Sequence, residues 1–269
     1  MTQLSAALTD FDRTTTLVAD VDRPGEFAVH LDDGWSSLVG IHGGYMSALT
    51  VRGAEAVAGA DRTARTVTTS FLRTGRPGPA TVVVNVVRSG RSLTTATADL
   101  VQDDKIVVTS RVTLLAERRG VEWLDATPVD VLPLEDCIRI DSEVGHFDQA
   151  DGRIDPRSVP FTDGPRARIS GYIRPLETRA IDPTWLAMAS DWFPPPAFVR
   201  LAPPTGGVSI DLTTHFHRAG LWLDDDEWLV AEFAIENSTG GLAVEHGRIA
   251  QPDGTVVAES FQTRLTSQD

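Results

Sequence analysis

The stretch Thr69 to Gly75, "TSFLRTG", and the stretch Thr214 to Gly220, "THFHRAG", match at Phe71 and Phe216, at Arg73 and Arg218, and at Gly75 and Gly220 with one constant offset. A repeat of that period decides the fold, because it makes a long chain two copies of one supersecondary unit. Each copy leads into segments that alternate with period two, rich in Val and Thr and bounded by Gly, Asp and Asn. These are "ATVVVNVVRSG", "RSLTTATADLVQDD" and "KIVVTSRVTLL" in the first half, and "EWLVAEFAIENSTG", "GLAVEHGRIAQPDG" and "TVVAESFQTRL" in the second. Such segments are strands. The links "QDDK" (Gln102 to Lys105) and "QPDG" (Gln251 to Gly254) carry the Asp and Gly of hairpin turns.

Upstream of each strand set lies one helical segment, "GGYMSALTVRGAEAVAG" from Gly43 to Gly59 and "DPTWLAMASDWF" from Asp182 to Phe193. Asp182 is an N-cap, Pro183 fits the first helical position, and Pro194 to Pro196 end the helix because proline supplies no N–H. The second helix is apolar almost all round, as an enclosed helix must be. Each half therefore reads as a short strand, one helix and four long antiparallel strands, an α+β arrangement whose sheet buries one face by wrapping round the helix. Between the halves, Glu117 to about Pro165 is rich in Asp, Pro, Arg and Gly and reads as a long linker with room for a short edge strand.

Bulk properties exclude several function classes. The chain has 269 residues, 41% of them hydrophobic and 23% charged, and a net charge of −14. That acidity argues against a nucleic-acid partner, which needs clustered Lys and Arg. Lys105 is the single lysine, so an anionic ligand would be held by a few guanidinium forks. No run of 18 apolar residues suggests membrane insertion, and the N-terminal stretch lacks the basic and apolar regions of a secretory signal, so a cytoplasmic location is expected. The single cysteine, Cys137, can form no internal disulfide.

Among polar candidates, Asp191 stands out as the one carboxylate near the end of an apolar helix, where burial is costly unless the group is hydrogen bonded or functional. His215 and His217 would share one strand face, but no third metal ligand accompanies them, and no metal is expected. Gly207-Val208-Ser209-Ile210-Asp211 imitates a nucleophile elbow, yet it lacks the last glycine and continues as a strand, so Ser209 is not expected to attack covalently. Gln262, on the strand face opposite Phe261, is weak evidence alone. His42-Gly43-Gly44-Tyr45 opens the first helix with amides able to face an oxyanion, although a tight turn needs glycine there in any case.

Taken in order, Gly43-Gly44, "SFLRTG" (Ser70 to Gly75), "ASD" (Ala189 to Asp191), "SIDLTTHFHR" (Ser209 to Arg218) and "DGTVVAESFQ" (Asp253 to Gln262) give a chain that resembles the type II bacterial acyl-CoA thioesterases. The resemblance implies two fused hotdog domains, each an antiparallel sheet around one central helix, over 1–118 and 166–269 with a linker at 119–165. It implies hydrolysis of acyl-CoA to a free acid and CoA, with CoA part of the substrate and no cofactor.

Carried over by position, the catalytic aspartate, threonine and glutamine of that family fall on Asp191, Ser209 and Gln262, with serine where the family has threonine. Asp191 would act as base, its pKa raised by desolvation, while Ser209 and Gln262 fix the attacking water. Backbone amides near Gly43, Gly44 and Tyr45 would meet the oxyanion. Trp185, Trp192, Phe193, Phe198 and Phe216 could line an acyl tunnel. The loose repeat alignment offers Met46, Ala64 and Thr113 as first-half counterparts, so the first half would be catalytically silent. A homodimer is expected. The competing readings are a non-catalytic acyl-CoA or lipid-binding hotdog protein, and a hydratase or dehydratase that would use His42 or His215.

Overall fold

The computed structural model describes residues 10–140, 143–202, 205–218, 220–224 and 226–268. The first nine residues and Ala219 of the second repeat copy lie outside them. In the first half, β1 (Glu26–Leu31) precedes helix α1 (Gly43–Ala58), which is followed by β2 (Arg62–Phe71), β3 (Gly78–Ser89), β4 (Leu93–Gln102) and β5 (Lys105–Ala116). In the second half the series repeats. After β6 (Asp151–Ile154) come β7 (Ala167–Arg174), α2 (Pro183–Ala189), β8 (Thr205–Phe216), β9 (Leu229–Thr239), β10 (Leu242–Ala250) and β11 (Val256–Gln268).

All of these strands join one sheet of 13 strands among the described residues. Its central order is β1-β3-β4-β5-β2-β8-β11-β10-β9-β7-β6, with Val18–Ala19 and Ile138–Arg139 at its two edges. The order within the halves is the same, read outward from the join between β2 and β8. The repeated motifs lie at that join: Thr69 pairs with Leu212 and Val67 with Thr214. The expected hairpins form. Asp103 and Asp104 take positive φ angles of 51° and 57° in the first, and Gly254 a φ of 91° in the second, the left-handed geometry such tight turns use.

Helix α1 packs against β2 to β5 and against α2, which in turn touches β2 and β8. The two helices therefore meet under the join. All seven residues of α2 are buried, and the Asp182 carboxylate accepts the Trp185 N–H as its N-cap. The sequence leads one to expect this helix to reach Phe193, but it ends at Ala189. Beyond it the amides of Asp191 and Trp192 turn to Met188 and Ala189, three residues back, a tighter turn than the α-helix allows. The aromatic residues expected at a tunnel, Trp185, Trp192, Phe193, Phe198 and Phe216, are all buried in the packed interior. The segment between the halves is partly ordered into the sheet, because β6 pairs with β7 and covers that edge.

Candidate active site

Three elements bring the candidate residues together: the start of α1, the turn after α2, and the paired strands β8 and β11. Strict alternation along β8 would put Ser209 on the same outward face as Asp211, Thr213 and His215. A bulge between Ser209 and Asp211 shifts the register against β11, and that extra residue, Ile210, turns Ser209 inward. On β11 the inward positions include Gln262 and Arg264, which are 1% and 4% exposed.

The Gln262 amide nitrogen donates to Asp191 Oδ1 at 2.8 Å and to Ser209 Oγ at 2.6 Å. Arg264 Nη1 donates to Ser209 Oγ at 3.0 Å, and Arg264 Nη2 reaches Gln262 Oε1 at 2.8 Å and Asp191 Oδ1 at 3.3 Å. Behind Arg264, its Nε donates to Glu245 Oε2 at 2.6 Å, with both side chains buried. Asp191, Ser209 and Gln262 thus form one hydrogen-bonded cluster.

The first half supplies the other wall. Gly44 N–H donates to Asp191 Oδ2 at 2.9 Å. A Cβ at Gly43 would stand 2.8 Å from Asp191 Oδ2, and one at Gly44 would stand 2.6 Å from Met188 O and 2.9 Å from Asp191 Cβ. The glycine pair is required here by close approach between the halves. Tyr45 takes another part: its N–H donates to His42 Nδ1 at 3.2 Å, its hydroxyl donates to Thr14 O, and its ring stacks on Trp35 at 4.7 Å.

His42 Nε2 lies 2.8 Å from the Asp191 carbonyl oxygen. A backbone N–H can only donate, so the contact from Tyr45 leaves Nδ1 unprotonated and the proton on Nε2, where it donates to Asp191. Burial holds His42 below its ordinary value, so the ring is neutral with both nitrogens engaged. From the linker, His146 stacks on His42 with ring centroids 4.4 Å apart, and burial pushes it down to about 3.

For Asp191, burial alone would raise the pKa, as the sequence leads one to expect. His42, Arg264 and the hydrogen bonds from Gln262 and Gly44 outweigh it, and the carboxyl is held below its usual range. Since a neutral imidazole carries no charge, the lasting electrostatic support is Arg264 together with the hydrogen bonds.

The histidines of the second repeat lie elsewhere. His215 is 3.3 Å from Thr66 Oγ1, and His217 Nε2 pairs with Glu259 at 2.8 Å. Sequence reasoning missed Arg264, Glu245 and His146. The first two were within reach, since period two places Arg264 on the face of Gln262, and the "QPDG" hairpin pairs Glu245 with Gln262. Nothing in the linker pattern singled out His146.

The acyl-CoA thioesterase N-terminal domain model matches residues 31–115, and the acyl-CoA thioesterase C-terminal domain model matches residues 125–266. The chain belongs to the acyl-CoA thioesterase family. It is a thioesterase enzyme with the double hotdog arrangement.

Solved structures agree in fold. A conserved protein of unknown function with hot dog fold from Alicyclobacillus acidocaldarius superposes with a TM-score of 0.87 at 20% identity, covering 98% of this chain and 100% of that one. Acyl-CoA thioesterase II TesB2 from Mycobacterium marinum gives 0.76 at 21% identity, with 96% and 98% covered. The tesB protein from Mycobacterium avium subs paratuberculosis gives 0.76 at 23%, again with 96% and 98% covered. No curated protein is matched by the chain. No helix among the described residues is long and apolar enough to cross a membrane.

Proposed function

We propose that this thioesterase hydrolyses acyl-CoA through a water activated by Asp191, with Ser209 and Gln262 holding that water. The single observation that carries the reading is the hydrogen-bonded cluster of the three residues, assembled from separate elements around a buried carboxylate.

Counting donors and acceptors refines the roles. Asp191 Oδ1 already accepts from Gln262 and Arg264, whereas Oδ2 accepts, among the described residues, from Gly44 alone, so Oδ2 is the oxygen with room for a proton. Ser209 Oγ accepts twice, from Gln262 and Arg264, so its hydroxyl can only donate, and that hydrogen is available to the oxygen of the water. The Gln262 nitrogen is occupied by Asp191 and Ser209 and its carbonyl oxygen accepts once, from Arg264, which leaves the second lone pair of that oxygen to receive a hydrogen from the water.

In the reaction, the water oxygen forms a bond to the thioester carbonyl carbon while one proton passes to Asp191 Oδ2. The tetrahedral intermediate then collapses, the C–S bond breaks, and the CoA thiolate takes the proton back. With the Gly44 and Tyr45 amides engaged, Gly43 N–H at the start of α1 is the backbone donor best placed for the oxyanion. The step as written draws on no metal or cofactor, since Asp191 takes the proton of the water and a thiolate leaves readily.

Replacing Asp191 by Asn tests the base. Over a panel of acyl-CoAs with free thiol as readout, kcat should fall about 10³-fold. An asparagine must turn its NH2 toward an existing donor, so a stability loss of about 2 kcal/mol should accompany it. Near-wild-type turnover would remove Asp191 from the mechanism. Tight acyl-CoA binding by the wild type without thiol release would favour a binding protein instead.

A further inference from the structure

Arg264 touches every side chain of the proposed site without being one of the residues the family resemblance names. A guanidinium has five N–H donors and no acceptor, and here each finds a partner. Nε–H meets Glu245 at 2.6 Å, Nη1 meets Ser209 at 3.0 Å and the Gly207 carbonyl at 3.3 Å, and Nη2 meets Gln262 at 2.8 Å and Asp191 at 3.3 Å. With no donor to spare, Arg264 cannot act as a receptor for an anionic part of the substrate. Its effect must pass through the residues it holds.

Those effects can be named. Because arginine only donates, the Gln262 atom facing it must be the carbonyl oxygen, which turns the amide nitrogen toward Asp191 and Ser209. Because Nη1 fills the second lone pair of Ser209, the serine is left as a donor. Glu245, pairing with Gln262 across the hairpin, receives Nε–H and Nη2 and fixes the plane of the fork. A buried pair of this kind is weak evidence for stability, since apolar residues of similar size usually serve as well. The first half shows such an apolar solution in the same fold: the register places Leu114 at the position of Arg264 and Ala96 at that of Glu245, both buried.

We propose that Arg264, braced by Glu245, is the positioning residue of this active site, fixing the Gln262 amide in one orientation and making Ser209 a hydrogen-bond donor to the attacking water.

This rests on the hydrolytic reading, and the test separates the two. The double variant Glu245→Ala with Arg264→Leu installs the first half's own residues, and Arg264→Lys keeps the charge while removing the fork. Wild type and both variants are compared for kcat and KM in thiol release. The Asp191 carboxyl is followed separately by ¹³C NMR titration, which needs no turnover. The charged and titratable groups facing Asp191 are His42, His146, Arg264 and Glu245.

In the double variant kcat should fall about 100-fold, the cost of a misplaced reacting group, with KM within about threefold and the Asp191 titration moved to higher pH. In Arg264→Lys kcat should fall while the titration stays low, because an ammonium has three donors and no planar fork for the five partners that the guanidinium holds. Wild-type kcat in Arg264→Lys, or wild-type kcat and an unmoved titration in the double variant, would overturn the proposal. Absence of hydrolysis in the wild type would instead sink the hydrolytic reading, and the titration would still report on Arg264.

Discussion

The two halves share one strand order and the bulge beside the site yet differ at every position of the site. In the first half the register shifts between Ala64 and Thr66, matching the shift between Ser209 and Asp211 in the second. With the bulges aligned, Ala64 stands for Ser209, Val112 for Gln262, Leu114 for Arg264 and Ala96 for Glu245, and the repeat offset sets Met46 against Asp191. All five first-half residues are buried and apolar. The looser sequence alignment gives Thr113 as the counterpart of Gln262, but Thr113 pairs with Thr66, beyond the bulge. The same backbone thus holds an interlocked polar set on one side and ordinary core on the other. What the first half gives to the site is its helix start, where Gly43 and Gly44 admit Asp191.

This contrast can be broken from either side. The largest effect is expected from moving the carboxylate alone: Met46→Asp buries an acid in the half where Leu114 and Val112 stand in place of Arg264 and Gln262. Urea unfolding should show a loss of about 3 kcal/mol or more, with no added hydrolysis. A stable variant would mean that the first half already offers polar partners.

Gly44→Ala attacks a contact that the first half makes with Asp191. The added methyl must push Met188 and Asp191 away, and kcat should drop about 100-fold together with the melting temperature. Unchanged kinetics would show that the close approach is dispensable.

The smallest effect is in the pH profile. As the proposed base, Asp191 would work only when ionised, and a lowered pKa keeps it ionised to lower pH. Activity should therefore stay nearly level from neutrality down to about pH 4, the usual carboxylate value, and fall only below it. A fall in kcat/KM beginning near pH 6 would show that desolvation prevails.

Much of the fold was legible because period-two alternation, hairpin links and a repeated motif are local signals that agree with one another. The extent of α2 was not, since after Ala189 the amides of Asp191 and Trp192 turn to carbonyls three residues back, a change that the apolar pattern does not mark. The inward aim of Ser209 was hidden for a sharper reason. A bulge changes which residues share a face without changing their order, so alternation grouped Ser209 with outward Asp211 and His215.

Asp191 was visible as an odd carboxylate in an apolar helix, but the sign of its pKa shift was not, because Arg264 enters from a strand more than seventy residues away. Arg264 could have been found by continuing the period-two count from Gln262, and Glu245 by pairing across the hairpin. His146 could not, since only the folded linker brings it to His42.

The central claim is that each chain builds one competent site, in the second half, with the first half closing it. Isothermal titration calorimetry with a non-hydrolysable thioether analogue of an acyl-CoA measures this directly. One analogue bound per chain, with binding weakened in Gly44→Ala and left intact by substitutions at Ala64, is the expected result. Two equivalent analogues per chain would contradict it.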